Sequence, residues 1–509
     1  MEKKYDVVII GSGMGGLVSS VLMAKEGYKV CVLEKNNQYG GNLQTFVRDK
    51  TIFDTGVHYI GGLAEGQNLY QYFKYLGIMD NFKIKRMDMD AYDYITFDGD
   101  ENKYPHAQGY DNFVNQLSKY FPNEKETLEK YCEEVRKICD SFPLYNLEKG
   151  SAYNEKTLSI NAKNFFDKLT DNELLKAVLS GSNSLYGGNG KTTPLYVHAL
   201  SVNSYIQSSW RCINGGSQLS KLLVKELRKY GGDIFKHQEV TSFKFENDVL
   251  SGAETKKGNV YYADKFISNV DLKATIRMVG ADRFRKSFFK RIDRLAVTPA
   301  AFSIYIVFKP ESFPYLNHNY YHFKDKKMVW SATEYDPKKW PEGYMVSMGV
   351  NSEDQKWAES MTAMTYMHFD EVEQWAQTKN TVAGKEDRGP EYEKFKQDHI
   401  ELLLDELELK FPDIRSCIRT VHASTPLSYR DYIGGQKGNM YGYEKDSDNP
   451  MKTFISPKTK IPNLFLTGQS INMHGMLGVT IGGVVTCSEI LGRDYLINKI
   501  NSEVNEEVQ

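Results

Sequence analysis

Three glycines near the N-terminus, Gly11, Gly13 and Gly16, have the spacing of turns that bind phosphate groups. They follow the apolar run of residues 5–10 and open a segment with helical periodicity. Gly11 permits a tight turn, Gly13 lets the backbone approach a pyrophosphate, and Gly16 lets the helix pack closely on the strand. The free N–H groups and positive dipole end of that helix attract phosphate. The pattern predicts a dinucleotide site.

A carboxylate follows at the distance expected for ribose binding. Glu34 ends a second apolar strand, in residues 28–36, about 20 residues after the glycines, where a carboxylate would accept hydrogen bonds from ribose hydroxyls. A Gly-rich surface loop would account for the glycines alone. It would not account for the strand, the helix and the acid in this order.

A similar unit ends the chain. Residues 463–468 form an apolar strand ending in glycine, a Gly-rich turn follows, and a helix is predicted from about Val479 to Lys499. We therefore predict a discontinuous nucleotide-binding domain built from residues 1–75, 205–285 and 420–509. The intervening segments, 76–204 and 286–419, are predicted to form a substrate-binding domain with a helical lid.

Periodicity predicts the elements between these ends. The predicted helices cover residues 15–27, 110–140, 171–179, 217–231 and 393–409. Alternating apolar and polar residues predict an antiparallel meander over 237–269 and further strands over 301–308 and 344–350.

Composition narrows the classes of function. The chain has 509 residues, which predicts two or three domains, and a net charge of −2, which gives no sign of nucleic-acid binding. The six cysteines are scattered without a CxxC pair, so neither a metal site nor a disulfide framework is indicated. No apolar stretch resembles a signal peptide or approaches the roughly 20 residues of a membrane span. We expect a cytoplasmic protein, either free or peripheral on a membrane.

Several segments together resemble one family. They are GSGMGG with Glu34, YGGNLQTF, FDTGVHYIGG, YPHAQGYDNFVNQLSKYFPNE, INGGSQLSKLLVKEL, TPLSYRDYIG and NLFLTGQSINMHGMLGVTIGG. The chain resembles FAD-dependent oxidoreductases of the phytoene desaturase, carotenoid isomerase and retinol saturase group, over nearly its whole length. FDTGVHYIG is particularly similar to the saturase and isomerase branch. The resemblance implies an α/β fold: a Rossmann-type FAD-binding domain, amine-oxidase-like or GDI-like, with a discontinuous α+β substrate domain.

The resemblance also implies which residues bind the cofactor. The glycine turn, Glu34 and the backbone after them would hold the nucleotide half, Val240 would meet the adenine, and Gly56 would lie beside the isoalloxazine. Asn42 stands where amine oxidases often carry Arg, so this position offers a neutral amide in place of a positive charge. The implied set is Gly11, Gly13, Met14, Gly15, Gly16, Glu34, Lys35, Gly40, Gly41, Asn42, Gly56, Val57, Val240, Gly468, Gln469, Gly478 and Val479.

Candidate proton donors lie next to these segments. His58 and Tyr59 follow Gly56, and His474 precedes the last helix, so each is a candidate catalytic residue, although a lone His is more often structural. No metal site is predicted. No second GxGxxG follows a strand, so NAD(P)H would bind transiently as donor, or an electron-donor partner would supply the electrons.

The resemblance implies an FAD-dependent oxidoreductase acting on C=C bonds of a hydrophobic polyene or isoprenoid. A retinol-saturase-like reductase is the first hypothesis, and a carotenoid cis-trans isomerase or desaturase is the main alternative. A non-catalytic prenyl-lipid carrier of the same fold is a third. An amine oxidase is disfavoured by Asn42 and by the lack of an aromatic-cage signature near the C-terminus.

Residues 283–295 combine six basic residues with one acid, and place apolar residues at helical spacing. This pattern is typical of a helix lying on an anionic membrane surface. A solvated helix that packs its apolar stripe onto the core would show the same pattern, so both interpretations stay open here.

Overall fold

Two seven-stranded sheets organise the molecule. The structure is a computed structural model that describes residues 4–150, 155–381, 388–471 and 473–506. Within these residues the strands are β1 (Lys4–Ile10), β2 (Val30–Leu33), β3 (Thr45–Arg48), β4 (Thr51–Asp54), β5 (Ile60–Gly61), β6 (Ile84–Arg86), β7 (Asp93–Phe97), β8 (Tyr104–His106), β9 (Ser209–Cys212), β10 (Asp233–Phe235), β11 (Val240–Glu246), β12 (Val249–Thr255), β13 (Val260–Ser268), β14 (Ala300–Phe308), β15 (Asn319–Phe323), β16 (Gly343–Met348), β17 (Ser360–Met367), β18 (Ile418–Ser424) and β19 (Leu464–Leu466).

The helices flank these sheets. Over the same described ranges they are α1 (Met14–Lys25), α2 (Asn68–Tyr75), α3 (Tyr110–Ser118), α4 (Lys125–Asp140), α5 (Glu155–Leu158), α6 (Ala162–Leu169), α7 (Glu173–Ser180), α8 (Leu195–Gln207), α9 (Ser217–Lys229), α10 (Leu272–Val279), α11 (Lys286–Asp293), α12 (Pro390–Lys410), α13 (Ile414–Cys417), α14 (Pro426–Ile433), α15 (Pro450–Thr453), α16 (Gly475–Leu491) and α17 (Arg493–Glu506).

The first sheet has the strand order β10-β2-β1-β13-β12-β11, and β19 also pairs with β13. The β10-β2-β1-β13 pairs and the β13-β19 pair are parallel. The predicted meander is present as the antiparallel strands β11, β12 and β13. All four residues of β2 are buried, as expected for a parallel strand covered on both faces. The strands come from the three segments predicted to form the nucleotide domain, and the exact domain boundaries stay a prediction.

The second sheet has the order β18-β14-β17-β16-β15-β7-β8. It is antiparallel except where β7 pairs with β15. Its central strand β14 is buried along all nine residues. Helices α3, α4, α6 and α8 pack on one another in the chain between β8 and β9, within the segment predicted to carry a helical lid.

The C-terminal helix differs from its prediction. It begins at Gly475, four residues before Val479, and ends at Leu491 rather than continuing to Lys499. Gly492 follows with a φ of 92°, a left-handed conformation that favours glycine and ends the helix. A separate helix, α17, starts at Arg493, so the predicted single helix is two.

Candidate functional site

A cavity of about 410 Å³ lies where four parallel strands end. Residues directly after β1, β2, β13 and β19 line it, which is the edge where open α/β sheets bind ligands. The sequence-predicted residues that line this cavity are Gly11, Gly13, Met14, Gly15, Glu34, Lys35, Gly40, Gly41, Asn42, Gly56, Val57, His58, Tyr59, Val240, Gly468, Gln469 and Val479. Gly16, Gly478 and His474 are outside this lining.

Gly16 instead fixes the contact between helix and strand. A Cβ built on Gly16 would lie 2.2 Å from the Gly11 carbonyl oxygen, closer than real Cβ atoms approach. Gly11 itself has a φ of 92°, a conformation available to glycine at no steric cost. The structure thus gives these two glycines the turn and packing roles predicted from their spacing.

Asn269 joins the two ends of the chain at this turn, and sequence reasoning missed it. Its amide nitrogen Nδ2 donates to the Gly11 carbonyl oxygen at 3.4 Å. Cβ atoms built on Gly15 and Gly468 would lie 2.8 Å and 2.9 Å from its Oδ1, so both glycines leave space for this side chain. Asn269 directly follows β13, and its position after a buried parallel strand was the available signal.

The Glu34 carboxylate is buried and accepts hydrogen bonds from neighbouring residues of the protein. Oε2 accepts from the Ser12 backbone N–H at 3.0 Å and from the Ser12 hydroxyl at 2.5 Å. Oε1 accepts from the Asn36 backbone N–H at 2.8 Å. A carboxylate has about four acceptor positions, so one position on Oε1 stays available to a ligand hydroxyl.

The far end of the cavity brings the N-terminal and C-terminal segments into contact. The Asn42 amide donates to Gln469 Oε1 at 3.5 Å, and a Cβ on Gly56 would lie 3.3 Å from the Asn42 Cβ. Asn42 therefore contacts the C-terminal turn through a neutral amide. The first turn of α16 contributes Gly475, Met476 and Val479 to the same lining. Gly478, in the same turn, is not among the lining residues, and its part in cofactor binding stays a prediction.

Tyr59 belongs to a buried hydrogen-bonded chain. Its hydroxyl donates to Asp93 Oδ2 at 2.8 Å and lies 2.7 Å from the Tyr321 hydroxyl. Asp93 Oδ1 accepts from Asn319 Nδ2 at 2.8 Å, and Asn319 Oδ1 accepts from Arg211 at 2.8 Å. Tyr59 and Tyr321 both line the cavity. Burial raises the pKa of Asp93 to about 7, which makes it a proton reservoir near neutral pH.

The two candidate histidines occupy different places. His58 lines the nucleotide cavity, and burial, with a smaller contribution from the Arg211 charge, lowers its pKa to about 4. The ring of His474 packs against Tyr441 at an interplanar angle of 37°, with ring centroids 4.6 Å apart, and lines a second cavity. Burial, then the Lys445 charge, lowers its pKa to about 4 as well. Both rings are therefore neutral near pH 7, so neither is an imidazolium acid at that pH, and their catalytic roles stay a prediction.

The model of the flavin-containing amine oxidoreductase family matches residues 14–491 of the chain. The chain belongs to this family. It is an FAD-dependent oxidoreductase, and the predicted amine-oxidase-like fold class is confirmed.

Individual relatives span almost the whole chain. The chain is 27% identical to the all-trans-retinol 13,14-reductase of Rattus norvegicus, covering 97% of this chain and 87% of that protein. It is 24% identical to the chloroplastic prolycopene isomerase of Daucus carota, covering 96% and 80%. A solved oxidoreductase from Methanosarcina mazei matches with a TM-score of 0.65 at 16% identity, covering 96% of this chain and all of that one. At that identity the structural match shows the fold alone.

The second cavity, of about 170 Å³, adjoins the nucleotide cavity. Both are lined by Leu185, Tyr205, Gly475 and Met476, so the two spaces meet at the start of α16. Its other walls are mainly apolar, and they come from the loop before α5, from α8 and from α16. The apolar residues are Ile60, Phe142, Pro143, Leu144, Leu158, Leu185, Leu200, Pro450, Phe454, Ile471, Met473, Met476, Leu477 and Ile481.

No helix in the described part of the chain is long and apolar enough to cross a membrane. The basic segment 283–295 contains α11, and its apolar residues Phe284, Ile292 and Leu295 are buried in a hydrophobic cluster. The apolar stripe therefore packs onto the core. Phe289 lies outside that stripe and is 39% exposed.

Proposed function

We propose that this protein uses bound FAD to reduce a C=C bond of a hydrophobic polyene or isoprenoid. The observation that carries the proposal is the junction of the nucleotide cavity with an apolar cavity at the N-terminus of α16. An apolar substrate in the second space would meet the cofactor at that junction. The named activities of the retinol reductase and prolycopene isomerase relatives support this substrate class.

The residues present fit FAD. The glycine turn leaves no room for side chains where a pyrophosphate would lie, and the N-terminus of α1 directs N–H groups toward that place. Glu34 would accept one ribose hydroxyl through Oε1, and Val240 would contact the adenine. Backbone at Gly56 and the first turn of α16 would flank the flavin ring, where the dipole of α16 favours negative charge.

Replacing Glu34 by glutamine is expected to weaken FAD binding by about 10- to 100-fold. The amide removes the charge from an acceptor of a buried hydrogen bond, an interaction worth roughly 1.5–3 kcal/mol. Titration of flavin-free protein with FAD, followed by flavin fluorescence, measures the change. The matched control is Glu26→Gln, which loses a contact with Lys499 outside the cavity and should bind FAD normally. Equal affinity of Glu34→Gln and wild type would contradict the assignment.

Bound FAD would supply hydride transfer to a substrate carbon, and saturation would then need one proton from the protein. We assign that proton to the chain of Asp93, Tyr59 and Tyr321. With Asp93 protonated, its O–H donates to the Tyr59 oxygen, Tyr59 donates to Tyr321, and Tyr321 presents a proton at the cavity wall. Burial first, and then the Asp93 charge, raises the pKa of both tyrosines well above 10, so their hydroxyls keep their protons at neutral pH.

The net gain or loss of electrons by the substrate distinguishes a reductase from an isomerase or a desaturase. Anaerobic enzyme, reduced beforehand, would be incubated with all-trans-retinol or a carotene, and the product analysed by mass and absorbance. A gain of two hydrogens supports saturation. An unchanged mass with a shifted spectrum would establish the isomerase instead, and a loss of two hydrogens with oxidised enzyme would establish a desaturase.

Two further points are tested on the same preparation. A non-catalytic lipid carrier would stay colourless after incubation with FAD, whereas a flavoenzyme becomes yellow.

If NAD(P)H is a transient electron donor, we expect it to bleach the bound flavin when the nucleotide is added anaerobically. If neither NADH nor NADPH bleaches it, a protein or chemical electron carrier is the donor.

We also propose peripheral binding to an anionic membrane through the basic face of α11. Arg291 donates to the carbonyl oxygens of Lys452 and Phe454, and Phe454 lines the apolar cavity, so α11 lies beside a wall of that space. Lys286→Glu with Lys290→Glu is expected to abolish sedimentation with anionic liposomes, because both side chains are exposed. Lys338→Glu with Lys339→Glu is the charge-matched control. Unchanged sedimentation of the α11 variant would refute this contact.

A further inference from the structure

Lys445 places an uncompensated positive charge in the wall of the apolar cavity. Its ammonium group makes no hydrogen bond or ion pair with any residue that the structure describes. Burial is the sole cause that lowers its pKa, to about 8, and no acidic side chain opposes that shift. The group is still mostly charged at pH 7, and no counterion for it lies among the described residues.

The charges around the cavity have one sign. Among the described residues that line it, Lys445 and Arg493 are basic and none is acidic. Arg493 donates to the Gly150 carbonyl oxygen at 2.9 Å, so that cation has a backbone partner and Lys445 has none. The ring of His474 lies close enough for the Lys445 charge to lower its pKa, and it is itself neutral.

The Lys445 side chain is partly buried. An unpaired ammonium group among apolar walls is costly unless a ligand supplies the opposite charge. Apolar walls around one cation are complementary to a long apolar molecule that ends in an anion. An alcohol or a hydrocarbon of the same length would leave the charge uncompensated. We propose that the cavity binds a polyene or isoprenoid carboxylate whose acid group pairs with Lys445. This inference rests on the proposed function and specifies the substrate class of the same site.

The test compares two ligands with the same polyene body. Flavin-loaded protein would be titrated with all-trans-retinoic acid and with all-trans-retinol, and binding followed by the change in flavin absorbance. The wild type is expected to bind the acid on the order of 10-fold more tightly than the alcohol. Lys445→Met, which keeps the length of the side chain and removes the charge, should weaken acid binding by about 10- to 100-fold and leave retinol binding nearly unchanged.

Two further measurements make the result specific. Lys452→Met removes an exposed charge on a neighbouring segment and should keep the acid preference. Without ligand, Lys445→Met should melt at a higher temperature than the wild type, because it removes a partly buried, unpaired charge from an apolar wall. A higher melting temperature would also show that the variant folds.

Equal affinity of the wild type for the acid and the alcohol would overturn the proposal, as would equal weakening of both ligands by Lys445→Met. These outcomes are distinguishable from failure of the proposed function. If the oxidoreductase proposal fails alone, the acid binds with the expected preference but reduced enzyme leaves its double bonds intact. If the carboxylate proposal fails alone, reduced enzyme still adds two hydrogens to a neutral polyene.

Discussion

Gly16→Ala is expected to give protein that retains no flavin and has no detectable turnover. The new Cβ would lie 2.2 Å from the Gly11 carbonyl oxygen, which is backbone and cannot rotate away. The start of α1 must therefore move away from β1, and the N–H groups that would face the pyrophosphate move with it. Such overpacking also costs about 1–3 kcal/mol of stability. The flavin-to-protein absorbance ratio after purification, and titration with added FAD, measure the loss.

The control lies at the other end of the same helix. Gly27 has a φ of 82° and open space around its Cβ position, so Gly27→Ala strains the backbone without a steric contact. That variant should lose about 1 kcal/mol of stability and keep its flavin. If both variants retain flavin equally, the close packing of α1 on β1 is not required for the cofactor.

Tyr59→Phe is expected to lower the rate of double-bond reduction on the order of 100-fold or more, with flavin content unchanged. Removal of the hydroxyl interrupts the path between Asp93 and Tyr321, and general acid catalysis typically contributes about 10²–10⁴-fold. Tyr321→Phe should cause a similar loss because it removes the last member of the path. Stopped-flow measurement of flavin reoxidation by substrate, under anaerobic conditions, measures the rate.

Tyr72→Phe provides the matched comparison. Tyr72 is buried and lines neither cavity. Its hydroxyl donates at 2.6 Å to the carbonyl oxygen of Leu144, a residue of the apolar cavity. A normal rate in Tyr72→Phe would show that loss of a buried hydroxyl alone is harmless. A normal rate of double-bond reduction in Tyr59→Phe and Tyr321→Phe would refute the proposed proton path.

The pH dependence of this step follows from Asp93. Its pKa is raised by burial to about 7, so the carboxyl group donates a proton below that pH and accepts from Tyr59 above it. The rate of saturation should therefore fall as the pH rises through about 7. Asp93→Asn should remove that part of the profile while leaving a slower rate that no longer changes there. If the pH–rate profiles of the wild type and Asp93→Asn show the same inflection, the titrating group is not Asp93.

Local patterns in the sequence were enough to predict the cofactor class. The signal consists of Gly11, Gly13 and Gly16 after one apolar strand and Glu34 after the next. Each part of this signal involves residues that are close together in the chain. Apolar periodicities of two and 3.6 residues indicate strands and helices, respectively, because they too involve residues that are close together in the chain. The predicted end of the last helix failed at Gly492, where one left-handed residue outweighed the apolar periodicity on both sides.

Long-range contacts were beyond such patterns. The pairing of β7 with β15 sets Asn319 opposite Asp93, and the same register brings Tyr321 to Tyr59 across 262 positions of sequence. The register of these two strands depends on which face of each strand is buried in the folded sheet. Neither the contact between the two tyrosines nor the contact between Asn319 and Asp93 can therefore be recognised from a local motif. The same holds for Asn269, which contacts Gly11 only because β13 lies beside β1.

A dinucleotide-binding fold could be predicted from the sequence, and the resemblance to a family extended this prediction to an FAD-dependent oxidoreductase. The position of His474 in the wall of the apolar cavity, the hydrogen bond between Tyr59 and Asp93, and the lack of a described counterion for Lys445 could be seen only in the folded chain. The physical reason is that burial and charge pairing, which set the state of each group, arise from residues far apart in the chain.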